Sequence, residues 1–147
     1  MVSEPKAQES HLAAVNVYIL PFKFKYLEQL KEMHLSRDNA LGCDLTMKDL
    51  PKIGYIAFIG KHPVAAGFLR RVEPSYGQLD TFLSNPYFGS QIRHQGLTLV
   101  TDALLQDAKD LGLSGVLAFT KDASILDRAI ARGFKPCDSV LMSLKLP

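Results

Sequence analysis

The chain has 147 residues and a mass of 16.3 kDa, about the size of one domain. Hydrophobic residues make up 47% and charged residues 22%, which excludes extensive disorder and a collagen-like repeat. The 17 Lys and Arg against 15 Asp and Glu leave a net charge of +2, so bulk charge predicts no nucleic-acid partner.

Residues 1–10, MVSEPKAQES, are polar, lack an apolar h-region and read as a flexible arm ahead of a single domain over 11–147. No window approaches the roughly 18 apolar residues a membrane span needs, so no membrane association is predicted and a cytoplasmic location is expected. Cys43 and Cys137 form no CxxC pair, which gives neither a disulfide framework nor a zinc knuckle. His11, His34 and His62 show no HxH or HxxxH spacing, so no metal is predicted.

In chain order, alternation over Ala13–Leu20 predicts a half-buried strand that Pro21 ends. Phe22, Tyr26, Leu30 and Met33 recur at helical spacing before Arg37, and Thr46–Asp49 resembles a short capping box. Tyr55–Ile59 is apolar on both faces, as a central strand requires. Turns at Gly60–Pro63 and Glu73–Gly77 separate it from strands over Val64–Val72 and Gln78–Leu83, giving an antiparallel meander. Leu97, Val100, Leu104, Ala108 and Leu111 form the stripe of the longest helix, read as opening at Gly96 and stopping at Gly112. Val116–Phe119 reads as a short buried strand. A helix follows, opened by Asp122 or Ser124, with Ile125, Leu126, Ala129 and Ile130 on its face and Gly133 at its end. Val140, Met142, Leu144 and Leu146 alternate with other residues and predict a last strand. The strand to Leu83, the helix from Gly96 and the strand at Val116 make a βαβ unit with parallel strands. The expected fold is a mixed α/β sheet with helices on both faces.

Arg93-His-Gln-Gly-Leu-Thr98 stands between a strand and that longest helix. Amides at a helix start lack intrahelical acceptors and favour anions by about 0.3–1 kcal/mol, more in a sheltered site. Gly96 would let a phosphate approach them, and Arg93 would add a bidentate clamp. The same segment also reads as a turn glycine beside a solvated arginine.

The order of elements, with Leu79–Pro86, Arg93–Thr98, Ala103–Leu105 and Gly133–Phe134, resembles the GNAT superfamily of acyl-CoA-dependent N-acyltransferases. The family signature is a strand ending near proline, R/Q-x-x-G-x-G/A opening a helix, and a second helix ending in Gly-Phe. The likeness runs from Ala13 to Leu146. It implies a mostly antiparallel mixed sheet with one splayed parallel strand pair, and acetyl-CoA or another acyl-CoA as co-substrate, without metal. It places the diphosphate on the amides of His94, Gln95, Gly96, Leu97 and Thr98, with Arg93 beside them, and pantetheine along Phe82, Leu83 and Ser84. Asp122 takes the place of a frequent family asparagine near the cofactor. The implied reaction is direct transfer of an acetyl group to a primary amine of a small molecule or a protein. Asp80 and Glu73 are the acidic candidates for activating that amine. Each also reads as a solvated carboxylate or a hairpin salt bridge.

Three departures from the pattern matter. Thr98 fills the final Gly/Ala position, the loop over Tyr87–Ile92 is longer than usual, and Ala129 replaces the tyrosine that usually protonates the departing thiolate. Thr98 and Ala129 support a second reading, a catalytically silent domain of this fold that binds a protein partner. A homodimer is compatible with either reading. Tyr76 and Tyr87 are candidates for the acceptor pocket or for packing. Arg128 and Arg132, with Lys121 and Lys135, read as a solvated face or as contacts to an adenosine 3′-phosphate. Cys137 reads as a small buried residue.

Overall fold

The computed structural model describes residues 16–35, 47–120, 123–140 and 142–147. The proposed arm over 1–10, together with His11, Cys43, Thr46, Lys121 and Asp122, lies outside the described residues.

Among the described residues five strands form one sheet in the order β1-β2-β3-β4-β5: β1 Tyr18–Pro21, β2 Ile53–Ile59, β3 His62–Val72, β4 Tyr76–Ser84 and β5 Gly115–Leu117. The first four pair antiparallel, and β4 with β5 is the single parallel pair. Three α-helices among the described residues accompany them: α1 Leu27–Leu35, α2 Ser90–Asp110 and α3 Ala123–Ala131. The expected mixed sheet with one parallel pair is therefore present. The β1 pairing begins only at Tyr18, and the helical spacing after Phe22 resolves into a 3₁₀ turn at Phe24–Tyr26 followed by α1. Another 3₁₀ turn occupies Met47–Asp49. No helix among the described residues is long and apolar enough to cross a membrane.

Side chains alternate across the sheet, so each central strand feeds two cores. Ile56, Phe58, Ala66, Phe68 and Leu83 meet Leu30 and Met33 of α1 on one face. Ala57, Ala65, Val64 and Leu69 meet Val100, Leu104 and Ala108 of α2 on the other. Phe68, Leu30, Ile56 and Leu104 are fully buried. Each such side chain stabilises the fold by about 1.5–3 kcal/mol. The helices thus cover both faces, as the apolar run of β2 demands.

β5 ends at Leu117 rather than Phe119, and both residues are exposed where a buried strand was expected. Two further elements differ from expectation. The long helix starts at Ser90, six residues before Gly96, with Gly89 as its N-cap. Its first intrahelical bond runs from the Arg93 amide to the Gly89 carbonyl, 3.1 Å. The sheet-facing stripe explains this early start, because Ile92 and Gly96 continue the spacing of Val100, Leu104 and Ala108 backwards. The second difference is at the C-terminus. Val140, Met142, Leu144 and Leu146 are 75–86% exposed and join no strand of the sheet. Alternation defines the apolar side of a strand but supplies no partner for it.

Tyr55 of β2 donates a hydrogen bond to Asp107 Oδ2 of α2 at 2.7 Å, tying sheet to helix. That bond, then burial and the nearby negative charge, push the Tyr55 hydroxyl up from 10.0 to about 12. A group raised on folding stabilises below its unfolded value and loses that contribution as pH rises through the folded one. Urea unfolding of the wild type should therefore weaken between about pH 10 and 12 more steeply than that of Tyr55→Phe. At neutral pH the variant should be less stable by ~1 kcal/mol.

Candidate functional site

The parallel pairing of β4 and β5 is short. Tyr76, Gly77 and Gln78 pair with Gly115, Val116 and Leu117, and beyond these the strands diverge. A cleft of about 800 Å³ opens there. It is lined by Gln78–Ser84 of β4, Ala118–Thr120 after β5, the first turns of α2 and one face of α3. The proposed wedge between splaying strands is thus a real cavity.

Along β4 the wall is distorted. The β3–β4 register shifts between Ala66 and Phe68, which pair with Leu83 and Asp80, leaving Thr81 and Phe82 opposite Gly67. Thr81 takes φ 52°, a conformation a β-branched residue rarely adopts. Such bulges re-aim a strand, and strained residues of this kind gather at functional sites. Gly67 permits the bulge: a Cβ there would lie 2.5 Å from the Phe82 ring. Nothing in the sequence of β4 announced this feature, because a bulge leaves the apolar alternation almost intact.

At the mouth, Asn85 fixes the turn after β4. Its amide donates to the Pro63 carbonyl at 2.8 Å, and its side-chain oxygen accepts from the Tyr87 amide at 3.0 Å. The helix then starts at Ser90, so the amides of His94–Thr98 lie inside α2, where the helix's own carbonyls occupy them. The expectation of bare amides at those residues is corrected. The amides without an intrahelical acceptor are those of Ser90, Gln91 and Ile92. The loop expected over Tyr87–Ile92 is correspondingly shorter, since its last residues are helical.

Gly96 faces the sheet. A Cβ on it would stand 2.8 Å from Val64 Cγ1 and 3.2 Å from Ala65 Cβ. Its missing side chain serves close helix–sheet packing rather than a phosphate. Arg93, Leu97 and Thr101, spaced by four, form the stripe of α2 that lines the cleft, with Ser90, Gln91 and His94 beside them. Thr101 donates to the Leu97 carbonyl at 2.7 Å. Arg93 Nε is buried without a hydrogen-bond partner. Gln95, Gly96 and Thr98 do not line the cleft, and the Thr98 hydroxyl is buried without a partner.

Phe82, Leu83 and Ser84 all line it, Leu83 and Ser84 being 1% and 4% exposed. From α3 come Ile125, Arg128 and Ala129, whose spacing of three and four places them on one face, and Arg132 follows just past its end. Arg132 Nε is paired with Asp102 Oδ1 at 3.0 Å. The solvated-face reading of Arg128 and Arg132 gives way to a cleft-lining one, which their separation by one helical turn already allowed. Ala129 lies in the wall where the resemblance expects tyrosine.

The two acidic candidates separate. Asp80 lines the cleft, accepting from Arg70 Nε at 2.7 Å and from the Thr81 hydroxyl at 2.9 Å. Arg70 also donates to the Asp49 carbonyl at 3.0 Å, which anchors the pair to the turn after α1. Glu73 is exposed in the β3–β4 turn, beside the closed end of the wedge, and does not line the cleft. Tyr76 packs against Gly115 and Tyr87 is 86% exposed, so neither lines it. Cys137 is exposed rather than buried.

No protein-family model matches the chain. No curated protein sequence matches it. Solved structures do. Rv2747 of Mycobacterium tuberculosis, solved with CoA, superposes with a TM-score of 0.67 at 18% identity, over 86% of this chain and 76% of that one. AAC(6')-Iy, solved with a CoA-S-monomethyl-acetylneamine bisubstrate analogue, gives 0.65 at 14% identity, over 90% and 99%. A GNAT-family acetyltransferase of Staphylococcus aureus Mu50 gives 0.64 at 18% identity, over 82% and 85%. These likenesses establish the architecture: the chain has the GNAT fold, as the order of its motifs implied.

Proposed function

We propose that the protein is an acyl-CoA-dependent N-acyltransferase, taking an acetyl group from acetyl-CoA to a primary amine. The observation that carries this reading is the cleft itself. It opens between diverging parallel strands and is walled by a bulged β4. Its rim carries the start of α2 and three arginines. Neighbours of the same fold were solved with CoA or a CoA analogue bound.

In this reading the diphosphate sits at the front of α2, on the amides of Ser90, Gln91 and Ile92. Arg93 supplies a charge-assisted clamp, and its unpartnered buried Nε supports that role. Arg128 and Arg132 add positive charge for the remaining phosphate. Pantetheine lies along Phe82, Leu83 and Ser84, where the bulge removes Thr81 and Phe82 from regular pairing with β3.

The chemistry is then compact. The neutral amine attacks the thioester carbonyl, forming the C–N bond. Backbone donors at the bulge stabilise the oxyanion. The C–S bond breaks with its electron pair on sulfur, and Asp80 accepts the proton that the nitrogen sheds. Ala129 cannot protonate the thiolate. A thiol with pKa about 8.5 leaves tolerably as its anion. Ser90 also lines the cleft, and its hydroxyl can relay a proton through water. The acceptor is a small amine or an amine of a protein, and the protein works in the cytoplasm.

Calorimetric titration with acetyl-CoA tests the reading. Saturable one-site binding is expected, weakened about 10–100-fold in Arg93→Ala, the usual range for losing a charged hydrogen bond. Thiol release with a panel of amines then tests transfer. No binding at millimolar acetyl-CoA would sink the proposal.

A further inference from the structure

Gln78 and Asp80 of β4 both line the cleft, and Arg70 of β3 stands against them. Arg70 is the cross-strand partner of Gln78, while Asp80 pairs with Phe68, two residues back on the same side of β3. Arg70 Nε lies 2.7 Å from Asp80 Oδ2, and its Nη2 donates to the Asp49 carbonyl at 3.0 Å. These bonds fix the guanidinium at the margin of the cleft, where the Arg70 side chain is 45% exposed and that of Asp80 23%.

Neither group is saturated. Among the described residues Arg70 makes only these two bonds, so its Nη1 has no protein acceptor. A guanidinium has further donors, set in one plane that matches a carboxylate. Asp80 accepts from Arg70 on one oxygen and from Thr81 on the other, which leaves a lone pair on each. Lys48 and Lys52, both exposed, flank Asp49 in the turn that Arg70 anchors. This margin therefore carries more positive than negative charge and attracts an anionic group.

We infer that the acceptor is a small α-amino acid, whose ammonium meets Asp80 and whose carboxylate meets the unused donors of Arg70. An accessible ion pair with spare donors and spare lone pairs is the complement of a zwitterion. Covalent geometry holds the nitrogen and the carboxylate oxygens of an α-amino acid about 3 Å apart, close to the 2.7 Å between Arg70 and Asp80. Laid across that pair, the zwitterion sets each charge against its opposite. Its nitrogen then lies against the carboxylate that takes the proton in the proposed reaction. A lysine side chain of a protein has no neighbouring carboxylate and would leave Arg70 without this partner. Acceptor choice of this kind rests on the transferase reading and narrows it from any primary amine to one class.

Thiol release from acetyl-CoA, measured for each common amino acid and for its carboxamide, tests the choice. The amide keeps the amine and the side chain and removes the negative charge. For at least one amino acid, kcat/KM of the acid should exceed that of the amide about 10–100-fold, the worth of a charged hydrogen bond. Arg70→Gln should erase this ratio by raising KM for the acid, whereas any slackening of Asp80 lowers kcat for both acceptors alike. Arg70→Lys keeps the charge and should retain part of the ratio. A merely structural Arg70 would leave the ratio unchanged, and that result would overturn the inference. Calorimetric titration of the amino acids, with and without CoA, reads binding apart from chemistry, and Arg70→Gln should weaken it by the same factor. Transfer to amines or amides without preference for the carboxylate would overturn the inference and leave the proposed function standing. Carboxylate-selective binding without thiol release would support the inference and remove the function. Absence of both binding and transfer for every amino acid would overturn the inference.

Discussion

Replacing Gly96 by leucine should lower the thermal midpoint by about 10 °C. The added side chain enters the α2–sheet interface, where even a Cβ stands 2.8 Å from Val64 and 3.2 Å from Ala65. Ala57 and Ala65, both fully buried, make that face of the sheet shallow, and the helix has settled into the space their small side chains leave. Overpacking typically costs 1–3 kcal/mol and sometimes more, and for a chain of this length ~3 kcal/mol corresponds to about 10 °C. Scanning calorimetry without ligand is sufficient to read it. An unchanged midpoint with impaired cofactor binding would return Gly96 to the anion-facing role that its motif suggested.

Asp80→Asn carries the largest expected kinetic effect. The carboxylate is held toward the cleft by Arg70 and Thr81, and amide replacement preserves its shape while removing its capacity to take a proton. General base assistance is worth about 10²–10⁴-fold, so kcat should fall within that range while acetyl-CoA affinity stays unchanged. Glu73→Gln is the internal control. Its side chain is in the turn outside the cleft, and the rate should not change. A kcat retained in Asp80→Asn would remove that residue from the proposed chemistry.

The sheet was readable from the sequence because its signals are local and redundant. Tyr55–Ile59 is apolar on both faces and falls within the observed β2, and the turns at Gly60 and Glu73 bracket β3. The βαβ unit followed from chain order alone. Arg93 and Gly96 form a pattern that suggests a helix front at Gly96, although Gly96 continues the apolar stripe of Val100, Leu104 and Ala108 back to Ile92. A glycine at a helix front and a glycine pressed against a sheet look alike in sequence. Only the packing partners, Val64 and Ala65, distinguish them.

The lining of the candidate cleft was legible in part. Phe82–Ser84 and Arg93 were placed by the family pattern, and all line the cleft. The Thr81 bulge was not, since it arises from the register between β3 and β4 rather than from any residue type. Asp80 and Glu73 were equivalent in the sequence. They part because one lies on the diverging stretch of β4 and the other beside its paired end. The terminal alternation identified an apolar side without a surface to receive it.

The most direct test of the central claim is a crystal structure of the protein grown with coenzyme A. The diphosphate is expected within hydrogen-bond distance of the Ser90, Gln91 and Ile92 amides and of the Arg93 guanidinium, with the pantetheine arm entering between β4 and β5. A diphosphate bound elsewhere, with those amides capped by protein groups, would contradict it.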